Sequence, residues 1–148
     1  MNKTVQDVIA ETQGMIYEMA ADQDWDLGYF SAEYLKSDFC ERAMDTIYSR
    51  FQFADAGECM DHITPEIPFK GYDDGLHFDP DVAYWIGSIY RYICFHSGYS
   101  SRYLADLLPF ESMCARYEGF HTLDDIEATE RICSELHEKQ IDTFMEEI

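Results

Sequence analysis

The stretch from Asp79 to Gly98 constrains this chain most. Asp79 suits a helix N-cap, Pro80 the first helical position, and Asp81 complements the positive end of the helix dipole. Val82, Trp85, Ile86, Ile89, Tyr90 and Ile93 then recur at three- and four-residue spacing, which predicts one wide apolar stripe. Gly98 can close the helix in the left-handed conformation. A helix this apolar has to be packed on by others, so a fold must be built around it. Gly87 in its middle costs about 1 kcal/mol relative to alanine. Its expected role is to let another helix come close.

The remaining segments also read as helices. Thr4 can cap a first helix carrying Val5, Val8, Ile9, Thr12, Ile16 and Met19 on one face and ending near Ala21. Leu27 to Phe53 reads as a helix interrupted at Ser37-Asp38, with Phe39, Ala43, Ile47, Tyr48 and Phe51 inward and an Asp38–Arg42 pair outward. A short helix follows over residues 54–63. Residues 64–80, with three of the four prolines, form one long loop. Beyond the central helix, Ser100 or Ser101 can cap a short helix and Pro109 can open another that ends at Gly119. Thr122 can cap the last, which is supported by Glu127–Arg131 and Glu135–Lys139 pairs. No segment reads as a strand. The expectation is an all-α, single-domain bundle of six or seven helices over residues 1–148. Pro80–His96 and Asp124–Glu147 would be its spine, with the N-terminal helix alongside.

The 148 residues are 47% hydrophobic and 16% aromatic, enough for a sizeable core, yet the net charge is −20. Residues 1–74 hold 16 acids and 5 bases, and residues 75–148 hold 14 and 5. The body is acidic, not a tail. Such a surface repels nucleic-acid phosphates and attracts a basic protein. The blander reading is that acidity only keeps the chain soluble. Cys40, Cys59, Cys94, Cys114 and Cys133 form no CxxC pair, and the N-terminus lacks the apolar core of a secretory signal. No run approaches the ~20 apolar residues of a membrane span. A cytoplasmic protein with reduced thiols and no cofactor is expected.

Two clusters invite a metal or catalytic reading. Asp22, Asp24, Asp26, Gly28 and Glu33 fall on positions 1, 3, 5, 7 and 12 of a helix–loop–helix calcium site, but Leu27 stands where the turn needs glycine. The competing reading makes Asp26 a helix cap and Trp25, Leu27 and Phe30 core residues. His77, near Asp73, Asp74 and Asp79, is the other candidate, against the simpler reading of a loop histidine among acids. No nucleophile motif and no phosphate-binding loop is present.

The aromatic block from Tyr84 to Leu104 gives a binding reading. Tyr84, Arg91, Tyr92 and Phe95 lie partly off the Trp85–Ile93 core face, and with Tyr99, Arg102 and Tyr103 they are the partner-binding candidates, since tyrosine and arginine are interface anchors. The alternative is a helix buried all round. The sequences "YWIGSIYRYICFHSGYSS" and "LPFESMCARYEGFHTLD", spanning about Ala83 to Asp124, resemble small acidic proteins of Firmicutes-type bacteria encoded beside putative toxin genes. That resemblance implies an antitoxin or accessory partner protein and transfers no functional residue. The expected function is therefore a non-catalytic antitoxin, immunity or inhibitor-type protein that binds a basic partner. An acidic DNA mimic and a metal-binding or catalytic domain are the alternatives. Ile141, Phe144, Met145 and Ile148 add a candidate homodimer seam.

Overall fold

A computed structural model describes residues 1–147. Its eight α-helices are α1 (Lys3–Asp22), α2 (Leu27–Leu35), α3 (Asp38–Ala43), α4 (Ala56–Ile63), α5 (Pro80–Ser97), α6 (Ser101–Leu107), α7 (Phe110–Phe120) and α8 (Asp125–Glu147). A 3-10 turn covers Arg50–Phe53. Among the described residues the only extended pairing is an isolated bridge between Trp25 and Gly71. The fold is an all-α bundle, and none of its helices is long and apolar enough to cross a membrane.

Local chemistry sets most helix ends. Asp79 accepts from the Asp81 N–H, Pro80 occupies the first helical position, and Gly98 closes α5 at φ 81°. Asp26, Ser37, Asp55 and Ser100 each cap the helix that follows. A cap of this kind is worth about 1 kcal/mol. Two caps differ from expectation: Asn2 rather than Thr4 opens α1, and Asp124 rather than Thr122 accepts from the Ile126 N–H at the start of α8.

The spine is α1 against α5, not α5 against α8; α1–α5 is the most extensive helix contact, and α8 packs on α5 more lightly. At the α1–α5 crossing a β-carbon on Gly87 would lie 2.7 Å from the Tyr17 ring and 2.9 Å from the Gln13 carbonyl oxygen. Gly14 is nearly as tight, its β-carbon position 2.9 Å from the Tyr84 ring. Small residues on both helices thus let the backbones approach. Tyr17 fills the space beside Gly87, edge-on to Phe30 and Tyr34, with its hydroxyl 2.8 Å from Ser31 Oγ.

The expected inward helix face through Ile47 and Tyr48 does not form. Helix α3 stops at Ala43, and Ile47 and Tyr48 are 88% and 74% exposed. The chain leaves the helix because the Asp45 carboxylate turns in to pair with Arg91 and Ser101. A long-range charge pair therefore overrides local apolar spacing. The Asp38–Arg42 pair is likewise replaced: Asp38 and Glu41 both face Arg102 on α6.

All five cysteines are free. Burial pushes the thiols of Cys40, Cys114 and Cys133 up to about 11 and that of Cys59 up to about 12. In the unfolded chain they ionise near 9, so above pH 9 unfolding releases protons that the native state retains. The thiol contribution to stability is therefore complete below pH 9 and is lost as pH rises through 11. Urea midpoints measured under reductant should fall between pH 9 and pH 11, and Cys59→Ala should flatten that fall. A midpoint independent of pH over this range, with or without Cys59, would contradict the assignment.

Candidate protein-binding surface

The aromatic block divides into three environments. The first is the core. Arg91 is 1% exposed, so it is not a surface anchor as its place in the sequence implied. Its Nε and Nη2 donate to Gln13 Oε1 at 3.1 and 2.8 Å, and Nη2 also reaches Ser101 Oγ at 2.8 Å and Cys40 Sγ at 3.4 Å. Nη1 donates to Asp45 Oδ1 at 2.7 Å and to the Met44 carbonyl at 3.4 Å. Asp45, whose side chain is 14% exposed, also accepts from the Ser101 N–H and hydroxyl at 2.9 and 2.5 Å. Burial by itself lowers the pKa of the guanidinium. The surrounding Cys94, Cys40, Tyr34 and Asp45 outweigh burial and raise its pKa, so the cation is permanent. Gln13 Oε1 also accepts from the Tyr34 hydroxyl at 2.9 Å, while Gln13 Nε2 donates to the Gly87 carbonyl at 2.8 Å. One polar network thus ties α1, α2, α5, α6 and the chain after α3 together.

The second environment is the seam of α5 with α1 and α8. Tyr84 is half-buried against Gly14, and Tyr92 donates to Asp7 Oδ1 at 2.7 Å. Burial raises the pKa of both phenols; the Asp7 hydrogen bond raises Tyr92 further, and the Glu11 charge raises Tyr84. Trp85, deeper in the α5–α7 contact, has the one buried side-chain polar atom without a hydrogen-bond partner among the described residues, Nε1. Its ring stands edge-on to Tyr117 at 5.6 Å, an arrangement in which an aromatic face can accept a weak N–H hydrogen bond.

The third environment is surface. Half-buried Phe95 lies between two clefts of about 330 and 420 Å³ and lines both. The first is floored by Arg91, Asp45 and Cys94 and rimmed by Ile47, Gly98 and Tyr99; the second lies among Lys3, Tyr92, His96 and Ile126. Tyr99 and Tyr103 stand edge-on at 5.0 Å, and both hydroxyls bond Gln140 of α8, at 2.8 and 2.9 Å. Arg102 and Tyr103 are exposed beside them. Of the seven candidates, then, Phe95, Tyr99, Arg102 and Tyr103 sit on this accessible surface, and Tyr92 reaches it along the second cleft.

The acidic stretch from Asp22 to Glu33 is a helix junction. Asp22 ends α1, Asp26 caps α2 through the Tyr29 N–H at 3.1 Å, Leu27 is buried as the first residue of α2, and Glu33 is exposed further along it. Asp24 takes φ 65°, a left-handed conformation that aspartate tolerates, and pairs with His77. His77 therefore engages Asp24 rather than Asp73, Asp74 or Asp79. The long loop clamps this junction: Asp26 N–H donates to the Lys70 carbonyl at 2.8 Å, and Tyr29 to the Pro68 carbonyl at 2.8 Å. Among the described residues no group of three or more His, Cys, Asp or Glu is placed to hold a metal ion.

No family model, curated protein or solved structure matches this chain.

Proposed function

We propose that this chain is a non-catalytic protein-binding module that neutralises a basic partner, in the manner of an antitoxin, immunity protein or inhibitor. It would act in a reducing cytoplasm, where five free thiols persist. One observation carries the reading: most of its cations are already used internally. Of ten lysines and arginines, Lys36, Arg50, Arg91, Arg102, Arg116 and Arg131 pair with the chain's own carboxylates. Exposed acids meanwhile stand on every helix, among them Glu11, Glu33, Glu41, Asp61, Asp81, Asp106, Glu118 and Glu130. The four other cations, Lys3, Arg42, Lys70 and Lys139, are exposed but far outnumbered by exposed acids, so the net charge facing solvent is negative. Such a field speeds encounter with a basic protein and repels phosphates. It favours a protein partner over a DNA mimic, which needs carboxylates rowed along one face. The Tyr99–Arg102–Tyr103 edge supplies side chains that anchor interfaces.

The immobilised chain, exposed to a lysate of its own source cells, should retain one basic protein in stoichiometric amount at about 0.1 M salt. Retention should weaken towards 1 M, as the Debye length contracts from ~10 to ~3 Å. Recovery of no stoichiometric protein at either salt would remove the proposal's support.

A further inference from the structure

Helix α8 runs past the body it packs on. Ala128, Thr129, Ile132 and Leu136 are buried in the bundle. From residue 137 to 147 only Gln140 is even half-covered, held by Tyr99 and Tyr103. Yet this segment carries Ile141, Phe144 and Met145, which are 47%, 63% and 63% exposed. Their i, i+3, i+4 spacing puts them on one face. At about 100° per residue, that face points roughly 160° away from the one formed by Ala128, Thr129, Ile132 and Leu136. Phe144 borders the edge of the intramolecular seam marked by Cys133 and Gln140, but Ile141 and Met145 lie beyond it, so packing α8 more closely on its own bundle would leave them uncovered. An apolar stripe on the outer side of a helix needs a second molecule.

Charge selects that molecule. Glu138 and Asp142 border the stripe on one side and Glu147 on the other, while Lys139 lies round the back of the helix. A second copy of the chain would set these carboxylates against their own equivalents, each within a body of net charge −20. A helix with an apolar stripe flanked by lysine or arginine satisfies both features. The narrow spacing of Ile141, Phe144 and Met145 also matches what one helix offers another, rather than a strand or a broad pocket. The last three turns of α8 are, moreover, marginal as an unsupported helix in water, and docking would complete them.

We propose that the outer face of the C-terminal half of α8 is the docking surface for a basic amphipathic helix of a partner protein. This rests on the partner-binding reading above and assigns it a face and a chemistry.

The test uses a synthetic helix of ~18 residues with leucines at i, i+3, i+4, i+7 spacing and lysines elsewhere, titrated into the isotope-labelled full chain at ~0.15 M salt. Amide shift changes should concentrate on residues 137–147. The I141S/F144S double variant, altered only at exposed positions, should keep its helical circular dichroism and bind about tenfold or more weakly. Leu76→Ser, at a separate exposed apolar site in the loop before α5, should bind like the parent. Shift changes centred on Tyr99 and Tyr103 or on the clefts, with α8 unmoved, would overturn this assignment while leaving a basic partner in place. A concentration-dependent dimer abolished by the double variant would overturn it in favour of a second copy. Absence of peptide binding anywhere on the chain would count against the docking surface and the partner reading together.

Discussion

Replacing Arg91 with leucine should lower the unfolding free energy by about 3–5 kcal/mol, the usual consequence of removing one partner from a buried ion pair. At this chain length that corresponds to a fall in melting temperature of roughly 6–20 °C. The cost comes from what is left behind. Asp45 keeps a carboxylate that is mostly shielded from water and retains only the Ser101 donors. Gln13 Oε1 loses two of its three donors, and the Met44 carbonyl loses its Arg91 contact. Net stabilities of 5–15 kcal/mol make this a large fraction of the total. Arg91→Lys should recover little. An ammonium keeps the charge but cannot span Gln13, Ser101 and Asp45 with one planar fork. Adding Asp45→Asn to Arg91→Leu should restore part of the loss, because the stranded charge is then gone. Urea denaturation of the two single variants and the double settles the point. A loss below about 1 kcal/mol for Arg91→Leu would show that water, not the protein, solvates Asp45.

This network also marks where sequence reading stopped. The ends of α5 were legible because Asp79, Pro80, Asp81 and Gly98 act on their own backbone neighbourhood. The junction at Asp22–Glu33 was legible for the same reason: Leu27 cannot replace a turn glycine, and Asp26 can cap. The helical class followed from spacing alone. Arg91 was misplaced because local spacing put it beside the apolar stripe, and nothing local shows that Gln13 and Asp45 wait across the crossing. One signal was available: Gly87, Arg91 and Cys94 are spaced i, i+4, i+7, so Arg91 shares the face that Gly87 opens to α1. Ile47 and Tyr48 were misplaced by the same long-range pull on Asp45. The exposed face of α8 was visible in the sequence as surplus apolar residues. Its direction relative to the bundle was not, because that depends on which turns of α8 touch α5. Ile148, the last member of that group, lies outside the described residues.

Gly87→Ala should destabilise by about 1–2 kcal/mol, the overpacking cost of up to about 3 kcal/mol outweighing the roughly 1 kcal/mol by which alanine is the better helix former. Two forces oppose each other here, and the distances decide between them. The added methyl would stand 2.7 and 2.8 Å from Tyr17 ring carbons and 2.9 Å from the Gln13 carbonyl oxygen. Neither neighbour can yield cheaply. Tyr17 is fully buried, with Phe30, Tyr34 and Tyr90 packed round its ring and its hydroxyl bonded to Ser31. The Gln13 oxygen belongs to the α1 backbone, so relief requires the two helices to separate. Separation would stretch the Gln13–Gly87 hydrogen bond and, through Gln13 Oε1, loosen the Arg91 network. Gly119, on α7, is the control: nothing lies within 4 Å of a β-carbon there. Gly119→Ala should therefore keep only the favourable term and stabilise by about 0.5–1 kcal/mol. The measurement is the pair of chemical-denaturation curves. Opposite signs for the two glycines are expected. Stabilisation at both would mean that α1 and α5 do not cross at Gly87, and the spine assigned to this bundle would have to be redrawn.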